Sequence, residues 1–425
     1  MRILRSLLTF TIFLLLACCK ETPKSDARQD DSNLVINERA KGRIDSVLKA
    51  FVDSGNIAGV SALIFEKDKE VYFNAFGDAD REAKKPMDRH TIVQIYSMTK
   101  PITGTALMTL YEEGKFDLDD PVAKYAPEFA NMKVYVGEDA DGNPILEETN
   151  RPITIRDLTR HTAGFGNADN SKLGKLIAKA DALNRNNTLE KMAEIMGKTP
   201  LLFHPGEQWQ YGPSVDVQAF MVERISGQPY GDYVREHVLD PLGMQQTRYL
   251  IPENDRHRFA ALYRRTGEGI LERDTVTYGN YTKPWPLTRG GSGLTSTIDD
   301  YMRFAQMLVH RGTIDSVQIL RPETVELMAT NQLADSVTER HFLPSKGQVG
   351  FGIDFAVRVA PPSSSEENNG VVGEFFWDGA ASTLFWVDPK NELTAVLFVQ
   401  LFPYDPIGLH KSFRDAVYGP IESNQ

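Results

Sequence analysis

Two apolar-rich runs, Val60 to Glu66 and Glu70 to Phe76, flank the charged turn Lys67-Asp68-Lys69 and predict a pair of strands. Just upstream, Ile44, Leu48, Phe51 and Val52 recur at helical spacing within the charged stretch Glu38 to Asp53, which predicts an amphipathic helix. Long strand patterns return only near the C-terminus, at Val349 to Val359, Val372 to Trp377, Ser382 to Val387 and Leu393 to Leu401, before a helix from Ile407 to Tyr418. The middle has helical periodicity at Thr154 to His161, Leu189 to Met196, Val215 to Ser226, Tyr230 to Val238 and Ile298 to Arg311, with Thr297 and Asp300 reading as a capping box for the last. The pattern therefore predicts an α/β (α+β) fold. A mostly antiparallel sheet is built from both chain ends (about 36–95 and 290–420) and flanked by helices, with a mainly helical lobe (about 96–289) inserted between them.

The N-terminus departs from this pattern. Arg2 and Arg5 precede an apolar run from Leu7 to Ala17 that is too short to span a bilayer comfortably, so 1–17 reads as a signal peptide. Leu15-Leu16-Ala17-Cys18 resembles the bacterial lipobox, which implies lipidation of Cys18. Residues 18–35 then form the lipidated cysteine and a polar tether, long enough to stand roughly 20 Å off the lipid. The expectation is a protein anchored to the bilayer of a bacterial cell envelope, facing the periplasm or exterior; the alternative is an ordinary signal peptide with two incidental cysteines.

Composition narrows the chemistry. Cys18 and Cys19 are the chain's two cysteines, so the body has no thiol for a nucleophile, a disulfide or a Cys-bound zinc. With 425 residues, 41% hydrophobic and 25% charged, the chain is globular and large enough for two lobes sharing a cleft. The 47 Lys and Arg against 58 Asp and Glu leave a formal charge of −11 without basic clusters, which argues against nucleic acid as a partner. Asp139-Ala140-Asp141-Gly142-Asn143 reads as a hairpin turn, because its series of calcium ligands is incomplete. The polar run Pro361 to Gly370 reads as an exposed loop.

The chemistry is concentrated at Ile95-Tyr96-Ser97-Met98-Thr99-Lys100-Pro101. Three residues along a helix is one turn on the same face, so Lys100 can reach the Ser97 hydroxyl. An amine activates a serine if burial or nearby positive charge lowers its pKa. Ser46-Val47-Leu48-Lys49 shows the same spacing, but on a solvated helix face. Ser97 differs in context: Met98, Ile102, Ala106 and Leu110 follow it at helical spacing, Gly114 ends the run, and Pro101 is tolerated only near a helix start. Tyr211, in the turn-rich loop Phe203 to Ser214, is a candidate third group, either a proton carrier with a pKa lowered by the ammonium or a packing tyrosine.

The run Ile95 to Phe129, the segment Leu158 to Phe165, the Tyr211 loop, Pro241-Leu242-Gly243-Met244, Gly290-Gly291-Ser292-Gly293-Leu294 and Phe376-Trp377-Asp378-Gly379 occur in order. Together they resemble the serine hydrolases related to class C β-lactamases, particularly the class VIII esterases, over about Ile36 to Tyr418. The resemblance implies a β-lactamase/transpeptidase-like fold with Ser97 as the acylated nucleophile, Lys100 its partner and Tyr211 the general base. It also implies an oxyanion hole from the backbone N–H groups of Ser97 and Ala380, with Trp377, Asp378 and Gly379 facing the serine from a strand as substrate-binding residues. No cofactor or metal is implied.

Two departures from the family pattern bear on substrate. Pro213 stands where β-lactamases of this family carry the Asn of Tyr-x-Asn, and Trp377 replaces a basic or imidazole residue that would attract a carboxylate. Asp378 would add repulsion, roughly 4 kcal/mol for unit charges about 4 Å apart at an effective dielectric of 20. A carboxylesterase for uncharged esters is therefore expected. The alternatives are a β-lactamase, a D-alanyl-D-alanine carboxypeptidase or an acyltransferase, and a non-catalytic binding module of the same fold. An α/β-hydrolase is disfavoured because Gly290 to Leu294 lacks the final glycine of Gly-x-Ser-x-Gly. His161 and His204 read as structural, since no His-Glu-x-x-His pair accompanies them.

Overall fold

The computed structural model describes residues 34–421; the segments expected to be a signal peptide, a lipidated Cys18 and most of a tether lie outside them. From Val35 onward the chain is one compact unit. Its centre is an eight-stranded antiparallel sheet. The strands are β1 (Gly59–Glu66), β2 (Lys69–Asp80), β3 (Lys85–Pro86), β4 (Val349–Phe351), β5 (Ala356–Arg358), β6 (Phe375–Asp378), β7 (Leu384–Asp388) and β8 (Leu393–Val399), in the order β4-β5-β6-β7-β8-β1-β2-β3. The two chain ends meet where β1 pairs with β8, Val60 opposite Val399 and Glu66 opposite Leu393. The split sheet expected from the apolar pattern is thus present, with the helical segments between β3 and β4.

The side chains of β7 show why both faces are covered. Neighbouring residues of a strand point to opposite faces. Phe385 packs edge-on against Tyr301 of helix Ile298–Val309 at 5.0 Å between ring centroids, whereas Trp386 packs on Phe413 of the C-terminal helix Leu409–Tyr418 at 5.4 Å. Those two helices therefore lie on opposite faces. Helix Glu38–Asp53 packs against the C-terminal helix and β2, burying Ile44 and Leu48. The buried Glu374 carboxylate links Arg358 of β5 and Arg414 of the C-terminal helix, each at 2.9 Å.

Several expected elements differ. Val349 to Val359 is a tight hairpin rather than one strand, because Asp354 adopts φ +62° between β4 and β5. Tyr230 to Val238 is helical only over Tyr230–Val234 and continues as a π turn, Arg235–Leu239. Thr297 accepts from the Asp300 N–H, but the Asp300 carboxylate reaches away to the Gln246 N–H at 2.7 Å and the Thr247 hydroxyl, so the capping box is half made. The reciprocal box occurs instead at Thr154 and Asp157, ahead of Ile155–Thr159. Helix Lys172–Ala180 was not evident from the apolar pattern. The Asp139 to Asn143 segment is a hairpin turn, and among the described residues no His, Cys, Asp and Glu cluster is suited to a metal.

Candidate active site

Ser97 sits in a single 3-10 turn, Tyr96–Met98, immediately ahead of helix Thr99–Glu112. Tyr96 is forced to φ +45°, a conformation that costs a non-glycine residue of order 1–3 kcal/mol. It is held there by a hydrogen bond to the Gln94 side chain at 2.7 Å and an edge contact with Phe402. The bend presents Ser97 partly exposed, while Lys100, one turn on, is only 4% exposed. Ser97 is reachable from solvent and Lys100 is shielded from it.

The Lys100 Nζ donates to Ser97 Oγ at 3.2 Å and to the Gly291 carbonyl at 2.6 Å. Burial lowers the Lys100 pKa to about 7; Asp216, Asp354 and Asp378 oppose the shift and Arg289 reinforces it. Near neutral pH a large share of Lys100 is therefore the free amine, able to accept the serine proton. The Gly291 acceptor is itself fixed, because Asp216 accepts from the Gly291 N–H at 3.0 Å and is ion-paired with Arg289 at 2.8 Å. Burial alone would raise the Asp216 carboxyl, but Arg289 and the Gly291 N–H hold it below the usual range.

Tyr211 completes the group. Its hydroxyl accepts from the Trp377 Nε1 at 3.3 Å, and the Lys100 Nζ lies 4.6 Å from its ring centroid. Its backbone is fixed by the Asn167 side chain, which donates to the Tyr211 carbonyl at 2.6 Å. Burial raises the phenol above its ordinary pKa, against the expectation that the ammonium would lower it. Tyr211 is thus a neutral hydroxyl near neutral pH, whereas Lys100 changes its protonation there. His161, buried and with neither ring nitrogen bonded, packs 4.9 Å from the Tyr211 ring and backs it; burial holds its pKa well below the ordinary value. His204 lies at the loop surface, accepting from the Asn150 N–H.

Trp377 and Asp378 lie at the end of β6, and Gly379 follows them. The end of β6 abuts the Ser97 turn so closely that a Cβ on Gly379 would lie 2.5 Å from the Ile95 carbonyl and 2.2 Å from Thr383 Oγ1. Glycine there lets the Gly379-Ala380 backbone approach the Ile95 to Ser97 segment. Trp377 is fully buried and its indole N–H donates to the Tyr211 hydroxyl. Asp378 was expected to repel a substrate carboxylate. It is instead ion-paired with the buried Lys346, and it accepts from Tyr404 at 2.8 Å. Its charge is neutralised within the protein.

Lys346, Asp216, Arg289, Gly291 and Asn167 were not singled out in the sequence as site residues. A charged residue inside an apolar run, as in Val215-Asp216-Val217, is a signal of buried pairing for Asp216. Lys346 carries no comparable mark.

Residues 44–418 match the model of the β-lactamase family. A protein of Mycobacterium tuberculosis, MT1414, is 34% identical over 84% of this chain and 89% of its own length. Esterase EstB of Burkholderia gladioli is 28% identical over 88% and 94%, and the monacolin J acid methylbutanoyltransferase of Aspergillus terreus is 26% identical over 79% and 84%. Among solved structures, EstCE1, a hydrolase with promiscuous acyltransferase activity, superposes with a TM-score of 0.72 at 26% identity, covering 90% of this chain and 99% of that one. The simvastatin synthase LovD of Aspergillus terreus, in its LovD6 mutant, shares the fold with a TM-score of 0.77 at 24% identity, covering 90% and 95%. A family match spanning nearly all of the folded body, with esterase and acyltransferase relatives over most of its length, makes this chain a serine hydrolase of the β-lactamase family.

Proposed function

We propose that the chain cleaves carboxylic esters through an acyl-enzyme on Ser97, favouring esters with no carboxylate beside the scissile carbonyl. The observation that carries this reading is the Ser97 hydroxyl 3.2 Å from a buried amine whose pKa is about 7. The neutral Lys100 amine takes the Ser97 proton as Oγ attacks the ester carbonyl. Tyr211 then gives its hydroxyl proton to the departing alkoxide, which leaves as the alcohol, and the ammonium formed at Lys100 passes its proton to the phenolate, restoring both groups. Water, or a second alcohol, attacks the acyl-enzyme by the reverse route. The N–H groups of Ser97 and Ala380 are assigned to the oxyanion.

The charge pattern supports ester over β-lactam. The basic groups around the site are already engaged, Lys100 with Ser97 and Gly291, Arg289 with Asp216 and Lys346 with Asp378, so none of the three is free to receive the carboxylate of a penicillin. Asp378, neutralised by Lys346, adds no repulsion of its own. That EstB is an esterase supports the same reading. The full chain should be labelled by a fluorophosphonate in wild type and not in Ser97→Ala. It should also turn over 4-nitrophenyl butyrate at least about 10²-fold faster than nitrocefin. Labelling undiminished in Ser97→Ala, or comparable turnover of the two substrates, defeats the reading. The Leu15 to Cys18 signature supports a lipid anchor at the cell envelope; metabolic palmitate labelling that survives Cys18→Ser would refute it.

A further inference from the structure

Beside the loop that holds Lys100 lies a cavity of about 150 Å³ whose wall includes Arg185, Lys283, Arg289, Tyr249, Trp285 and Gly293. Arg289 is neutralised by Asp216. Arg185 and Lys283 form no ion pair among the described residues. Both lie against one indole, the Lys283 Nζ 4.2 Å and the Arg185 guanidinium 5.8 Å from the Trp285 ring centroid, and that ring is pinned by its N–H to the Asn280 carbonyl at 3.1 Å. A third guanidinium, Arg256, backs the same loop by donating to the Thr282 carbonyl at 2.7 Å. In a chain of formal charge −11, two unpaired cations gathered at one cavity form a local reversal of sign.

The cavity belongs to the active-site framework. Gly293 in its wall is two residues from Gly291, whose carbonyl accepts from Lys100, which places the two within about 7 Å. Tyr249 in the wall donates to the Arg289 carbonyl at 2.8 Å, and Thr103, one turn beyond Lys100, donates to the Gly290 carbonyl at 2.8 Å.

We propose that this cavity is an anion subsite that binds a carboxylate carried by the ester substrate several atoms away from its scissile carbonyl. The inference rests on the esterase reading above and refines it: the preferred substrate is uncharged at the reacting carbonyl and anionic at its far end. Arg185 supplies a planar pair of donors suited to a carboxylate, Lys283 a second charge, and the Trp285 face holds both cations in place.

The test compares the full-length wild type with the double variant Arg185→Gln/Lys283→Gln. One arm uses mono-4-nitrophenyl esters of dicarboxylic acids of increasing length beside neutral 4-nitrophenyl esters of matched length. The other uses butyrate esters of ω-hydroxy acids beside those of simple alcohols, so the arms tell an anion on the acyl chain from one on the alcohol. At a favoured length the charged ester should show a KM at least about tenfold lower than its neutral match, with the advantage lost in the double variant and kcat on 4-nitrophenyl butyrate unchanged. Equal KM for charged and neutral esters at every length in both arms, or an advantage that survives the double substitution, overturns the proposal. Calorimetric titration of suberate into both proteins reads the subsite without turnover. Binding weakened at least about tenfold in the double variant supports the subsite even if no ester is cleaved, a result that would fail the esterase reading alone; equal binding, or none to either protein, overturns the subsite.

Discussion

Replacing Lys100 by methionine should inactivate the enzyme and, near neutral pH, make it more stable. The physical reason is burial. Lys100 is 4% exposed and its pKa falls from 10.5 to about 7, which at about 1.36 kcal/mol per tenfold corresponds to about 5 kcal/mol of cost for holding the charged form inside. The sign follows from linkage. Between pH 7 and 10.5 the unfolded chain binds a proton that the folded chain has released, so stability rises with pH across that window. The cost is fully present below pH 7, about 4 kcal/mol at pH 7, about 2 kcal/mol at pH 9 and absent above 10.5. Methionine removes it, but leaves the Gly291 carbonyl without its donor, a loss of about 1 kcal/mol that does not change with pH. The variant should therefore exceed wild type by about 3 kcal/mol at pH 7, and the gap should shrink by about 1 kcal/mol per pH unit up to pH 10. Urea unfolding of both proteins at a series of pH values, followed by tryptophan fluorescence, measures this. A gap that stays constant from pH 7 to 10, or a wild type that is the more stable at pH 7, would refute the claim that Lys100 is a buried amine of depressed pKa.

Other outcomes follow from the same geometry. A neutral Tyr211 hydroxyl that protonates the leaving alkoxide predicts that Tyr211→Phe lowers kcat on an unactivated ester such as ethyl butyrate by about 10²–10⁴-fold with little change in Tm; retention of most activity would remove it from the proton path. Wild-type kcat/KM should rise with pH through about 7 as Lys100 loses its proton, and a flat profile from pH 6 to 8 would count against Lys100 as the base. Lys346→Met strands the Asp378 carboxylate and should cost about 3–5 kcal/mol in thermal unfolding, largely recovered in Lys346→Met/Asp378→Asn; a harmless single substitution would mean the pair is not formed. Gly379→Ala inserts a Cβ against the Ile95 carbonyl and should lose about 1–3 kcal/mol and at least about tenfold in kcat, whereas unchanged kinetics would show that the close approach at the Ser97 turn does not matter.

Much of the framework was legible along the chain because it depends on local spacing. The 3-residue interval from Ser97 to Lys100 is a helical turn wherever it falls at a helix start, and the apolar runs at both ends define strands that need covering on both faces. The failures were of a different kind. The Val349 to Val359 run conceals a reversal at Asp354, since apolar content says that a segment is buried but not where it bends. Thr297 and Asp300 have the spacing of a capping box, yet the Asp300 carboxylate finds the Gln246 N–H, 54 residues away, instead. Tyr211 was expected to have a lowered pKa from its cationic neighbour, but desolvation outweighed that charge, and desolvation is set by what surrounds the ring.

The sequence by itself determined the split antiparallel sheet and the juxtaposition of Ser97 with Lys100, because each follows from periodicity or from residues one turn apart, and its ordered motifs carried the resemblance to the family. The tertiary structure alone decided the electrical state of the site. Asp378 is neutralised by Lys346, 32 residues earlier, Asp216 is paired with Arg289 73 residues later, and Lys100 is enclosed deeply enough to release its proton near pH 7. Protonation depends on burial and on the nearest opposite charge, and both are properties of groups brought together across the fold rather than along the chain.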